Sequence, residues 1–115
     1  MGEIKKITGK IKKFRDERDW LQFHDSKNMA ISIMLEASEL LEHFQWKTKA
    51  EVKKYIQTNG ESVQEEIADI SMYLFELADN LGIDLIKAME KKLKKNAAKY
   101  PVSKAKGSHK KYNQL

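Results

Sequence analysis

The 115-residue chain has no cysteine, one proline and five glycines. Without cysteine there can be no disulfide scaffold, no thiolate-ligated zinc and no thiol nucleophile. So few breakers argue against a protein of many short strands and favour helices. Long hydrophobic runs are also missing, since no window approaches the ~20 apolar residues of a membrane span. The N-terminal MGEIKKITGK lacks the apolar stretch of a signal peptide, so the expected location is cytoplasmic, with no membrane partner. A chain of this length is one domain's worth, able to bury roughly two thirds of its unfolded surface.

Charge is present but unevenly placed. Residues 1–90 carry 13 basic and 17 acidic side chains, whereas residues 91–115 carry nine lysines and no acid. An acidic body followed by a basic tail suggests an anionic partner for the tail and a use for carboxylates in the body. Two segments of one domain are expected: a helical part over 1–98 and a basic C-terminal tail over 99–115.

Periodicity gives an all-α fold, an antiparallel bundle of four to five helices. An amphipathic first helix spans about Thr8 to Asp19. Asp25 or Ser26 caps a second helix running to about Trp46, and Thr48 caps a third ending near Ile56, where Asn59-Gly60 breaks it. A fourth runs from about Glu61 to Leu81 and is closed by Gly82 in a left-handed C-cap. Asp84 opens the last, to about Ala98, and Pro101 ends regular structure.

On a helical wheel of the second helix, Glu39, Ser32, His43 and Glu36 fall within about 60° of one another. Met29, Leu40, Ile33 and Phe44 flank this strip on one side, Leu35 and Trp46 on the other. Gln45, Ser38 and Glu42 occupy the arc opposite the core, so Glu42 reads as surface and Glu36 and Glu39 as interior. On the helix 61–81, Asp69, Ser62, Tyr73, Asn80 and Glu66 form a comparable strip beside Leu77, Ile70, Val63, Leu74 and Ile67. Glu65 and Glu76 lie further round, at positions expected to be exposed or to stand behind the main acids.

Four carboxylates facing a bundle interior repel one another and lose solvation unless a cation joins them. Oxygen-only ligands point to Mg²⁺, with Mn²⁺ as a substitute, both hard ions that commonly bridge to substrate phosphates. A di-iron bundle also lines its core with acids, but needs Glu-x-x-His on two helices. Leu21, Leu40 and Lys106 stand three residues before His24, His43 and His109, so that motif is missing.

Glu36-Ala37-Ser38-Glu39 and Glu66-Ile67-Ala68-Asp69 resemble the E-x-x-E … E-x-x-D signature of the MazG-like all-α nucleoside triphosphate pyrophosphohydrolases. Arg18-Asp19-Trp20, Gln22-Phe23-His24, Asn28, Phe44-Gln45-Trp46-Lys47, EEIADISMYL over 65–74, Lys99-Tyr100-Pro101 and Lys110-Lys111-Tyr112 resemble the dCTP pyrophosphatase branch of that superfamily. The likeness runs from about Ile11 to Leu115. It implies hydrolysis of dCTP, or a related and possibly modified nucleoside triphosphate, to the monophosphate and pyrophosphate. It also implies Glu36, Glu39, Glu66 and Asp69 as metal ligands, with Glu39 and Glu36 as catalytic groups that orient or deprotonate the attacking water. His24, Trp46 and Tyr73 are the implied base contacts, with Trp20 behind them; Asn96, Lys99, Tyr100 and Lys111 are candidates for the triphosphate. The segment between Trp46 and Glu61 is short and lysine-rich where the superfamily shapes its pocket, which leaves the choice of base open.

The competing reading is a nucleic-acid-binding helical module that uses the lysine-rich tail. It explains the lysines but leaves the interior acids without a role, because acids at a binding surface repel phosphate unless a metal intervenes. No specific nucleic acid partner is therefore expected. The wide apolar arc on the helix 61–81 exceeds what one chain of this length can cover, so a homo-oligomer is expected, and the resemblance implies a homodimer or homotetramer.

Overall fold

Side-chain caps decide where the helices begin. In the computed structural model, which describes residues 2–115, the Asp25 carboxylate accepts the Asn28 N–H at 2.9 Å and opens a helix at Ser26. Thr48 and Glu51 form a reciprocal capping box, with the Glu51 N–H donating to Thr48 Oγ1 at 3.2 Å and the Thr48 N–H donating to Glu51 Oε1 at 3.1 Å. Asp84 accepts the Lys87 N–H at 3.1 Å. Each cap satisfies a backbone donor that the first helical turn cannot pair.

The resulting elements are α1 (Glu3–Glu17), a 3₁₀ turn (Leu21–Phe23), α2 (Ser26–Phe44), α3 (Lys49–Asn80), α4 (Leu85–Lys99), α5 (Val102–Ala105) and a closing 3₁₀ turn (Tyr112–Gln114). The all-α expectation holds, and no strand occurs among the described residues. No helix among them is long and apolar enough to cross a membrane.

Three boundaries differ from expectation. First, α1 starts five residues earlier than periodicity suggested, because its first turn, Glu3 to Lys6, offers a single apolar residue to the pattern. Next, the two helices expected on either side of Asn59-Gly60 run on as α3, with one residue, Asn59, leaving helical geometry at φ −121° and ψ 23°. A single kink absorbs the poor propensity of the Asn-Gly pair without a loop. Finally, Pro101 does not end regular structure: its carbonyl accepts the Lys104 and Ala105 N–H groups at 3.0 and 2.8 Å and so starts α5. The proline φ of −59° is already set for a helical turn.

Two compact units divide at Leu81 and Gly82. In the first, α2 and α3 run antiparallel. His43 meets Tyr55, and Ser32 meets Tyr73, so ascending one helix descends the other. The helix α1 lies on the far end of α3, where Lys12 pairs with Asp79 at 3.0 Å. Met29 is 1 % exposed, and Val63 and Ala78 join it as the buried apolar residues, so the hydrophobic centre of one chain is thin. Met34, Leu35 and Leu41 on α2 and Ile67 on α3 keep much of their surface in solvent. In the second unit, Gly82 adopts φ +68°, the left-handed conformation expected of it, and α4 follows. Lys99 Nζ lies 4.9 Å from the centre of the Tyr112 ring, and Tyr100 meets that ring edge-on.

Candidate metal centre and adjoining cavity

The antiparallel register of α2 and α3 turns two E-x-x-E/D spacings into one cluster. Carboxylate oxygens of Glu36, Glu39 and Glu66 all lie within 4.8 Å of one another. Glu36 and Glu66 are half-buried, whereas Glu39, expected in the interior, is exposed. One solvated member relieves the repulsion that three buried carboxylates would meet.

Two oxygens in the cluster, Glu36 Oε2 and Glu66 Oε2, are sealed from solvent and find no hydrogen-bond partner among the described residues. An orphaned buried carboxylate oxygen is costly, and a hard divalent cation is the simplest group that would satisfy two at once. Burial, followed by the nearby Glu66 and Glu39 carboxyls and the charges of Glu39 and Asp69, pushes the Glu36 carboxyl up to about 7. Without a cation, a proton takes the place that positive charge would fill. The donor set fits a divalent ion that binds oxygen.

Beside the cluster opens a cavity of about 390 Å³, within the ~300–1,000 Å³ usual for small-molecule sites. Glu36 and Asp69 line one part of it, and Phe14, Trp20, His24 and Tyr73 supply aromatic walls. Trp20 and Tyr73 lie 6.5 and 6.3 Å from the His24 ring, a spacing that leaves flat surfaces for a planar guest. Burial and then the Glu36 and Asp69 charges hold the Tyr73 hydroxyl above its usual range, so it stays a neutral donor.

Residues 31–115 match the MazG-like family. The chain belongs to that family. Among curated relatives, dCTP pyrophosphatase 1 of Homo sapiens is 38% identical over 104 residues, 89% of this chain and 61% of that protein. The Bos taurus protein of the same name is 39% identical over 104 residues, 89% of this chain and 62% of its own. The chain thus spans a little over three fifths of the length of the curated relatives it matches. A crystal structure of a pyrophosphatase from Archaeoglobus fulgidus superposes with a TM-score of 0.84 at 39% identity, covering 88% of this chain and 94% of that one.

The MazG-like chain brings together most of the residues singled out from sequence. Glu36, Glu39 and Glu66 converge, and Asp69, His24, Tyr73 and Trp20 line the adjoining cavity. Trp46 does not line it. It sits in the turn after α2 at φ +66° and is 92 % exposed. Four further candidates belong to the second unit. Asn96 and Lys99 are on α4, Tyr100 follows it, and Lys111 precedes the last 3₁₀ turn.

A second polar group in the cavity wall was missed. Glu76, expected to be exposed or behind the other acids, is 2 % exposed and faces Arg15, which is 4 % exposed. Arg15 Nη1 lies 3.5 Å from Glu76 Oε2, the His24 Nδ1 atom 2.7 Å and Asn80 Nδ2 3.2 Å. A carboxylate only accepts, so His24 donates from Nδ1. Arg15 also donates to Asp16 at 2.8 Å, which with the Asp16 and Glu76 charges raises the guanidinium pKa further. The partners are separated by 61 positions in sequence, and no periodicity on either helix alone signals such a pair.

Proposed function

We propose that the protein is a Mg²⁺-dependent nucleotide pyrophosphatase that hydrolyses dCTP or a related nucleoside triphosphate to the monophosphate and pyrophosphate. The observation that carries this reading is the convergence of Glu36, Glu39 and Glu66 with two sealed, unpartnered oxygens at the rim of an aromatic cavity. Membership of the MazG-like family and the names of the dCTP pyrophosphatase relatives supply the reaction class.

Glu36, Glu39, Glu66 and Asp69 would hold the metal. Bound there, Mg²⁺ supplies positive charge to the phosphates and acidity to the attacking water. Glu39, the exposed acid of the cluster, would accept that water's proton, with Glu36 beside it. Tyr73 and Trp20 offer faces to the base, and stacking of this kind contributes about 1–3 kcal/mol. Among the triphosphate candidates, Lys99 and Lys111 are favoured by charge; Asn96 and Tyr100 rest on resemblance. The exposed Trp46 indole and the exposed apolar residues Met34, Leu35 and Leu41 support association of two or four copies of the chain.

A pyrophosphate-release assay over the common and several modified nucleoside triphosphates, with and without Mg²⁺, tests this reading. Release that requires the metal and favours dCTP is expected. Folded protein that binds Mg²⁺ yet releases no pyrophosphate from any of them overturns it.

A further inference from the structure

The proposed metal accounts for the acids Glu36, Glu39, Glu66 and Asp69 but leaves the buried Glu76–Arg15 pair without a task. Such a pair is not needed for stability, since well-packed apolar residues of similar volume usually serve as well or better. Its contacts are lopsided. His24, Asn80 and Arg15 all approach Glu76 Oε2, and Arg15 is engaged through Nε and Nη1. Glu76 Oε1 and Arg15 Nη2 have no partner among the described residues, and neither is among the sealed orphan atoms. Both residues line the cavity, so its wall contains an acceptor and a donor in one paired group.

We infer that Glu76, backed by Arg15, selects the base, accepting from the exocyclic amine of an amino-substituted nucleobase while Arg15 donates to the adjacent ring nitrogen. This rests on the reading of the cavity as a nucleotide site. Cytosine and adenine present an amine donor next to a ring-nitrogen acceptor, the complement of the Glu76–Arg15 edge. Uracil, thymine and guanine present a carbonyl oxygen next to a ring N–H, which sets acceptor against acceptor and donor against donor. On α3, Asp69 and Glu76 are seven residues apart, a rise of about 10 Å. That is comparable with the span from a nucleotide's α-phosphate to the outer edge of its base. Asp69, Tyr73, Glu76 and Asn80 follow helical spacing along one face, so the phosphate end and the base end of a substrate lie along a single helix.

A pair that merely ties α1 to α3 would affect all substrates alike, whereas a pair that reads the base alters their ratio. The test compares kcat/KM for dCTP and dUTP in the full chain and in Glu76→Gln, together with calorimetric binding of dCMP and dUMP to metal-free protein. Wild type is expected to favour dCTP by about 100-fold or more, and E76Q to narrow that ratio about 10- to 100-fold, because an amide can donate to the uracil carbonyl. Should E76Q melt early, the double variant R15M/E76Q, which leaves no unpaired charge, gives the same reading. No amino-over-keto preference in wild type, or an equal loss for both substrates in the variants, overturns the inference while leaving the hydrolase reading intact. A dCMP preference that E76Q removes, in protein that hydrolyses no triphosphate, supports the inference and sinks the hydrolase reading instead.

Discussion

Two acidic groups share one cavity and are built in opposite ways. At one end, Glu36 and Glu66 expose buried oxygens to no partner, and Asp69 adds more negative charge. At the other, Glu76 is more deeply buried than any of them, yet it receives His24, Asn80 and Arg15. The first is an acid cluster short of a cation, and the second supplies its own. The contrast separates a centre prepared for an external charge from one already neutralised, and it assigns opposite responses to the same kind of mutation.

The largest expected effect is on turnover. Glu39→Gln or Asp69→Asn should lower pyrophosphate release about 10³-fold or more while circular dichroism shows the helices retained, because each change deletes a proposed metal ligand and no fold contact. An equal loss in a variant outside the cluster, such as Glu42→Gln on the solvated arc of α2, would contradict the assignment.

Stability should respond in the reverse sense at the two ends. Arg15→Met strands the Glu76 charge in a buried wall and is expected to cost about 3–5 kcal/mol in denaturant unfolding. Glu36→Gln in metal-free protein removes a repelled carboxylate and should raise Tm on the order of 5 °C at neutral pH. If both variants destabilise alike, the two ends are not electrostatically different.

The pH response sharpens the same point. The Glu36 carboxyl titrates near 7 in the folded chain against 4.5 for the ordinary group, so folding favours its protonated form. Its contribution is therefore present in full below about 4.5 and lost as pH rises through 7. Melting of metal-free protein should weaken across that window, and a saturating divalent cation should reduce the loss. A flat profile without metal would contradict the coupling of the three acids.

How much of this could be read from sequence differs between the two ends for a physical reason. The E-x-x-E and E-x-x-D spacings are local, since three residues on a helix bring two side chains to one face, and a short turn makes α2 and α3 antiparallel neighbours that pack along each other. The caps at Asp25, Thr48 and Asp84 are legible on the same ground, because each is satisfied within three residues. Glu76 is different. Taken alone it is an acid off the main strip, and only the packing of α1 across α3 supplies Arg15 to make its burial tolerable. Trp46 marks another limit: an aromatic at the edge of an apolar stripe reads as base contact or core, yet it stands in solvent because its turn carries it past the end of α2.

The smallest expected effect tests the scaffold on which the comparison depends. The Thr48–Glu51 capping box holds the start of α3, at the turn that joins it to α2. Thr48→Ala should cost about 1 kcal/mol in chemical denaturation, the usual worth of an N-cap, and leave kcat/KM nearly unaltered, because Asn59 already takes up the bend before Glu66. A loss of turnover larger than about tenfold from this remote cap would mean that the two acid strips are brought into register by the turn itself rather than by the packing of α2 along α3.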